Sequence, residues 1–155
     1  MTNPRYKEKK FGPYKDEEAI EEDGTKKYAE AIGDLNPLYT DEEYAKKSRY
    51  GSIIAPPMYA VTYTLSSIMN CFTDSGMPEV VADFDFEISF ENLVHGEQEF
   101  EFFKPIKAGD EISTEVRILN VYKKGNLNFV DFGTTSKNQR GELVTKGIMT
   151  TIFRS

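Results

Sequence analysis

Asp34, Asn36 and Tyr39 bring a carboxylate, a side-chain amide and a phenol into one short stretch of chain. A carboxylate and an amide can hold a water molecule between them, and a third group that exchanges protons would complete a general acid–base site. Tyrosine is a poor choice for that third group. Its ordinary pKa is near 10, so only about one phenol in a thousand is ionised at neutral pH. Asp34 also has a plain structural use, because an aspartate after Gly33 can cap its own backbone in the turn that Asn36-Pro37 enforces. Downstream, Lys46, Lys47 and Arg49 form a basic run. Such a run is either the solvated end of a helix or a contact for phosphate groups. The stretch "APPMYAVTYTLSSIMNCF" then opens on Pro56, Pro57 and Met58. Proline is tolerated in the first turn of a helix because no partner is required for its missing N–H.

Other chemistry is bounded by composition. The chain has 155 residues, a formal charge of −7, one histidine and one cysteine. The negative balance argues against a nucleic-acid partner, which would require a basic face. His95 alone cannot build a multi-histidine metal site, and no spacing suggests a metal or redox cofactor. Cys71 excludes an internal disulfide and reads as a small core residue rather than a nucleophile. His95, in "NLVHGEQ", reads as a turn or interface residue between strands. No apolar run reaches membrane-spanning length, and the N-terminus lacks the apolar core of a signal peptide, so no membrane contact and a cytoplasmic setting are expected.

These residues must be positioned by one domain, since this length supports a single core. Residues 1–15, with Pro4 and Pro13, read as an N-terminal arm, and 16–155 as the folded domain. Asp16 to about Ala31 favours helix, with a break expected at Gly24. Thr40 or Asp41 then caps a short helix that carries Glu42 and Glu43 in its first turn. From Pro56-Pro57 onward Met58, Val61, Leu65, Ile68, Met69 and Phe72 recur at helical spacing, and residues 57–73 carry no charge. A helix that uncharged is enclosed on most sides. Phe84, Phe86, Ile88 and Phe90 alternate with polar residues as a strand would, as do Phe100 and Phe102. Three more strands follow, near 111–123, 127–137 and 142–153, joined at Gly125-Asn126 and at Gln139-Arg140-Gly141. The expectation is an α+β fold: about five antiparallel strands in meander order around one long buried helix.

With those elements in place, "YAEAIGDLNPLYTDEEYA", "YGSIIAPPMYA", "GEQEFEFFKPIKAGDEI" and "GELVTKGIMTTIF" resemble the MaoC-like hotdog-fold dehydratases. The resemblance is to the N-terminal, FAS1-like dehydratase half-domain, and it covers the chain from about residue 16. It implies a hotdog fold and reversible hydration of a trans-2-enoyl thioester to an (R)-3-hydroxyacyl product. Active relatives carry Asp-x-Asn-Pro-x-His in the loop, and a His-Gly pair at the helix start whose Gly N–H polarises the thioester carbonyl. This chain keeps Asp34, Asn36 and Pro37 but has Tyr39 in place of the histidine and Pro56-Pro57 in place of His-Gly. By the same resemblance, Pro56, Pro57 and Met58 would border the substrate, while Lys46, Lys47 and Arg49 would face the phosphates of coenzyme A or of a carrier-bound phosphopantetheine. The chain would then be an accessory hotdog subunit that shapes the acyl pocket beside a histidine-bearing partner. Two other readings stay open. One is a self-sufficient homodimeric dehydratase or thioesterase using Asp34 and Tyr39, and the other is a non-catalytic acyl-thioester binding module. All three imply a homodimer or heterodimer, because an open sheet edge is normally paired.

Overall fold

The computed structural model describes residues 5–7, 9–16 and 18–154. Five antiparallel strands form one sheet in the order β1-β3-β4-β5-β2, namely β1 (Lys10–Lys15), β2 (Leu93–Phe102), β3 (Ser113–Lys124), β4 (Leu127–Lys137) and β5 (Leu143–Arg154). β3, β4 and β5 are consecutive hairpins, as their alternation predicts. In β4, Asn128, Val130, Phe132, Thr134 and Ser136 are buried while the residues between them are not. Gly125, with φ +59, closes the first hairpin where a side chain would be strained. A helix, α4 (Ala60–Phe72), lies across one face, entered through a 3-10 turn at Pro57–Tyr59. Phe11, Val116, Val130, Phe132, Met149 and Phe153 of the sheet meet Ile68 and Cys71 of the helix in the core.

The sheet-facing side of α4 differs from the expected stripe. Ala60, Tyr63, Thr64, Ser67, Ile68 and Cys71 are buried, whereas Val61, Leu65, Met69 and Phe72 are only half-buried. Small side chains let the helix axis approach the strands, and the Thr64 hydroxyl is satisfied by the Ala60 carbonyl at 2.8 Å. Tyr63 reaches the sheet, its hydroxyl sharing a 2.7 Å hydrogen bond with Thr145 Oγ1. Thr62, Ser66 and Asn70 are exposed, so one flank of the helix is open.

Four further expectations are corrected. Residues 84–89 form no strand. Phe84, Phe86 and Ile88 pack on the core as an irregular segment, so their alternation reports a half-buried chain without a sheet partner. The order is no meander throughout, because β2 pairs with β5 and not with β3. The fifth strand is β1, drawn from the expected arm. It pairs with β3 through Lys10–Arg117 and Lys15–Ser113, and the register shifts between Phe11 and Tyr14. Residues 1–4 of that arm lie outside the described residues. Finally, α1 (Glu22–Ala31) begins six residues late and does not break at Gly24. The chain before it is tied down by hydrogen bonds from Asp16 N–H to the Ile112 carbonyl (3.1 Å) and from Ile20 N–H to the Asp110 carbonyl (2.8 Å). Gly24 falls in the first turn, where N–H groups have no intrahelical partner to lose. Glu22–Lys26 (2.7 Å) and Asp23–Lys27 (2.5 Å) ion pairs brace the helix at i,i+4 spacing.

Candidate active site

α1 ends on Gly33, φ +73, and the chain turns through Asp34 and Asn36 into α2 (Pro37–Thr40). Asp34 Oδ1 accepts from the Asn36 N–H at 3.3 Å, and Asn36 Oδ1 caps α2 by accepting from the Leu38 N–H at 3.0 Å. Both side chains therefore shape the turn, and both are exposed. Asp41 repeats the device for α3 (Glu42–Lys47), accepting from the Tyr44 N–H at 3.0 Å.

Tyr39 points the other way. It is 8% exposed and packs with Ala29 and Ile54, with Leu38 and Tyr50 beside them. Burial pushes its pKa up, and the charge of Asp34 and then Tyr50 push it further. Each of these influences moves the phenol away from the ionisation a general base needs.

The helix start lies next to this cluster. The Ile54 N–H donates to the Leu38 carbonyl (3.2 Å) and the Ala55 N–H to the Ile106 carbonyl (2.8 Å). Lys107 Nζ donates to the Tyr50 carbonyl at 2.5 Å. These bonds clamp three segments around a groove of ≈ 380 Å³, walled by Leu38, Tyr39, Arg49 and Tyr50, by Ile54–Pro57, and by Phe102–Ile106. The lining is apolar apart from its rim. There the Arg49 guanidinium lies 4.8 Å from the Tyr50 ring centre and donates to its hydroxyl at 2.6 Å. Lys104, also on the rim, is bound to Glu142 at 2.5 Å. Pro57 sits in the first turn with no N–H to offer, so a carbonyl reaching that point finds no amide donor from it.

Of the residues singled out from sequence, Tyr39, Arg49, Pro56 and Pro57 share the groove, and the others stand apart. Asp34 and Asn36 are spent on the turn. Lys46 is paired with Glu42 (2.9 Å) and Glu43 (3.6 Å), Lys47 is exposed on α3, and Met58 is 45% exposed with its carbonyl accepting from the Tyr28 hydroxyl at 3.0 Å. Phe102 reads from sequence as either core or channel lining, and Phe103 and Ile106 were not anticipated as lining. Their signal was the "FFKPIKAGD" run, in which Pro105 and Gly109 end the strand and turn the chain toward the helix start. Among the described residues, no group of three or more His, Cys, Asp or Glu is placed to hold a metal ion, and no helix is long and apolar enough to cross a membrane.

Known proteins supply the context for this geometry. A family model described as "FAS1-like, dehydratase domain region" matches residues 9–146. The chain is 32% identical over 130 residues to a UPF0336 protein of Streptomyces avermitilis, a match that covers 84% of this chain and 81% of that protein. It is 28% identical over 125 residues to a probable enoyl-CoA hydratase alpha subunit of Thermomonospora curvata, covering 76% of this chain but 39% of the relative. Its fold is shared with a HadBC (3R-hydroxyacyl-ACP dehydratase) complex from Mycobacterium tuberculosis, with a TM-score of 0.70, 20% identity, and coverage of 90% of this chain and 93% of the other. The chain belongs to the FAS1-like dehydratase domain region family, and its sheet wrapped around α4 is the hotdog fold of the MaoC-like dehydratases.

Proposed function

We propose that this chain is the accessory hotdog subunit of an (R)-specific enoyl-thioester hydratase or 3-hydroxyacyl-thioester dehydratase. One observation carries the reading: the groove is formed and apolar, while the two positions that should do chemistry in it hold a buried tyrosine with a raised pKa and a proline without an N–H. Losing one oxyanion donor alone costs about 10²–10³ in rate. A histidine-bearing hotdog partner supplies the base that adds water across the double bond. This chain contributes the apolar walls, from Tyr39, Pro56, Pro57, Phe102 and Phe103, that hold the acyl group. Arg49, on the rim and without a carboxylate ion pair among the described residues, faces the phosphates of coenzyme A or a carrier-bound phosphopantetheine, with exposed Lys47 two residues before it. The relative from Thermomonospora curvata, an alpha subunit by name, supports a division of labour between chains.

The test is reconstitution with a hotdog chain that carries Asp-x-Asn-Pro-x-His, followed by hydration of short and long trans-2-enoyl-CoA. Phe102→Ala in this chain is expected to lower kcat/KM for long substrates at least fivefold relative to crotonyl-CoA. An equal effect on both lengths would remove the acyl-pocket role.

A further inference from the structure

The walls of the groove are apolar with one exception. Tyr39 is 8% exposed, yet its hydroxyl has no hydrogen-bond partner among the described residues. Buried hydroxyls elsewhere in the core are bonded. Tyr63 shares a 2.7 Å hydrogen bond with Thr145, and Thr114 shares one of 2.8 Å with Ser136. Among the described residues, Gln98 Oε1 is the one side-chain oxygen or nitrogen that is both sealed from solvent and unpaired. The Tyr39 oxygen therefore keeps contact with open space, and the open space that Tyr39 lines is the groove. The backbone around it has little to add. The N–H groups of Ile54 and Ala55 are committed to the carbonyls of Leu38 and Ile106, and Pro56, Pro57 and Pro105 have no N–H. Burial first, then Asp34 and Tyr50, hold the phenol in its neutral form, so near neutral pH it is an O–H donor.

A lone donor in an apolar groove discriminates between ligands. An acyl chain of methylene groups alone, packed against Tyr39, would strip the hydroxyl of water and offer no acceptor, and a buried polar group left unpaired is penalised. A chain with an oxygen at that point restores the bond. Sites that hydrogen-bond a ligand oxygen reject the analogue lacking it more strongly than apolar pockets reject a change in size. We infer that Tyr39 is a specificity-determining residue, and that the groove takes acyl thioesters with a hydroxyl or carbonyl oxygen along the chain, to which the Tyr39 hydroxyl donates. The inference rests on the proposed function in taking an acyl chain as the occupant of the groove. Tyr39 acts in it as a hydrogen-bond donor, and no proton is transferred.

Equilibrium binding to the purified chain tests this. The probes are decanoyl-CoA and a set of hydroxydecanoyl-CoA isomers, with the hydroxyl moved one carbon at a time along the chain. At least one isomer is expected to bind wild-type chain about tenfold or more tightly than decanoyl-CoA. In Tyr39→Phe that advantage should fall below about twofold, in a variant that folds and keeps its Tm because the hydroxyl lost has no internal partner. A Tyr39→Phe chain that cannot fold would show the hydroxyl to be bonded within the protein, and overturns the inference. So does a wild-type chain that binds decanoyl-CoA and ranks no isomer above it, or a preference that survives in Tyr39→Phe. An equal loss of affinity for every probe in Tyr39→Phe would put the hydroxyl on the thioester carbonyl, and overturns it too. Failure of every probe to bind would remove the acyl groove and this inference together. Turnover of a trans-2-enoyl-CoA by the chain alone would defeat the accessory reading and leave the binding preference standing.

Discussion

Tyr39 allows the structural and the catalytic reading to be separated by a pair of substitutions. Tyr39→Phe removes one hydroxyl from a ring that is 8% exposed, and no described residue hydrogen-bonds to that hydroxyl. Apolar contacts are kept, so the stability change should stay below about 1 kcal/mol. If the ring only walls the groove, turnover of the reconstituted complex stays within about twofold. If instead the phenolate works as a base, removing it costs about 10²–10⁴ in kcat. Tyr39→Ala removes the ring together with the hydroxyl and so adds the packing loss. It empties the cluster of Ala29, Ile54, Leu38 and Tyr50, at a cost of about 3 kcal/mol, the low end for a large aromatic because one side of the ring borders the groove. For a chain of this size that is a fall in Tm of about 6–12 °C. The assays are enoyl-CoA hydration at saturating substrate and thermal unfolding of each variant. A drop of a hundredfold or more in Tyr39→Phe, with Tm unchanged, would refute the assignment of Tyr39 to the wall.

Asp74 is held below the usual carboxylate range by the Gly76 N–H, at 2.9 Å, and by the Tyr14 hydroxyl, at 2.8 Å, which ties β1 to the end of α4. A depressed folded pKa stabilises the protein above the unfolded value near 3.9 and is lost as pH falls through the folded value, so Tm should decline below about pH 4. The decline should be smaller in Asp74→Asn, and an identical pH profile would dismiss the tie. Burial pushes the Cys71 thiol far up, so native protein should not react with a thiol reagent at pH 8 and should react once unfolded in urea; rapid labelling of folded protein would contradict its placement in the core. A Cβ at Gly147 would lie 2.8 Å from Phe100 ring atoms and from Thr134 Oγ1, so Gly147→Ala should cost about 1–3 kcal/mol in urea unfolding. A change below 0.5 kcal/mol would mean that Phe100 yields freely.

The central hairpins were legible because β3, β4 and β5 bury one face, and burial of one face is what writes a period of two into sequence. The helix start was legible because Pro56-Pro57 permits little else. β1 was not, since "KFGPYK" interrupts any alternation with Gly12 and Pro13 and buries Phe11 alone. The opposite error came from "FDFEISF", where alternating rings rest on the core without a neighbouring strand to pair the backbone. At the site, the resemblance pointed to the loop and the helix start, and the structure places Tyr39, Arg49, Pro56 and Pro57 together. Phe102 and Phe103 could not be assigned from periodicity, because a strand's last residues read alike whether they face the core or a groove.

Whether this chain has a base of its own separates an accessory subunit from a self-sufficient enzyme. The direct measurement is hydration of crotonyl-CoA and of a longer trans-2-enoyl-CoA by the purified, folded chain alone, followed by loss of conjugated thioester absorbance. Turnover indistinguishable from the uncatalysed rate, restored on adding a histidine-bearing hotdog chain, is the predicted result. Robust turnover by the isolated chain would contradict the account.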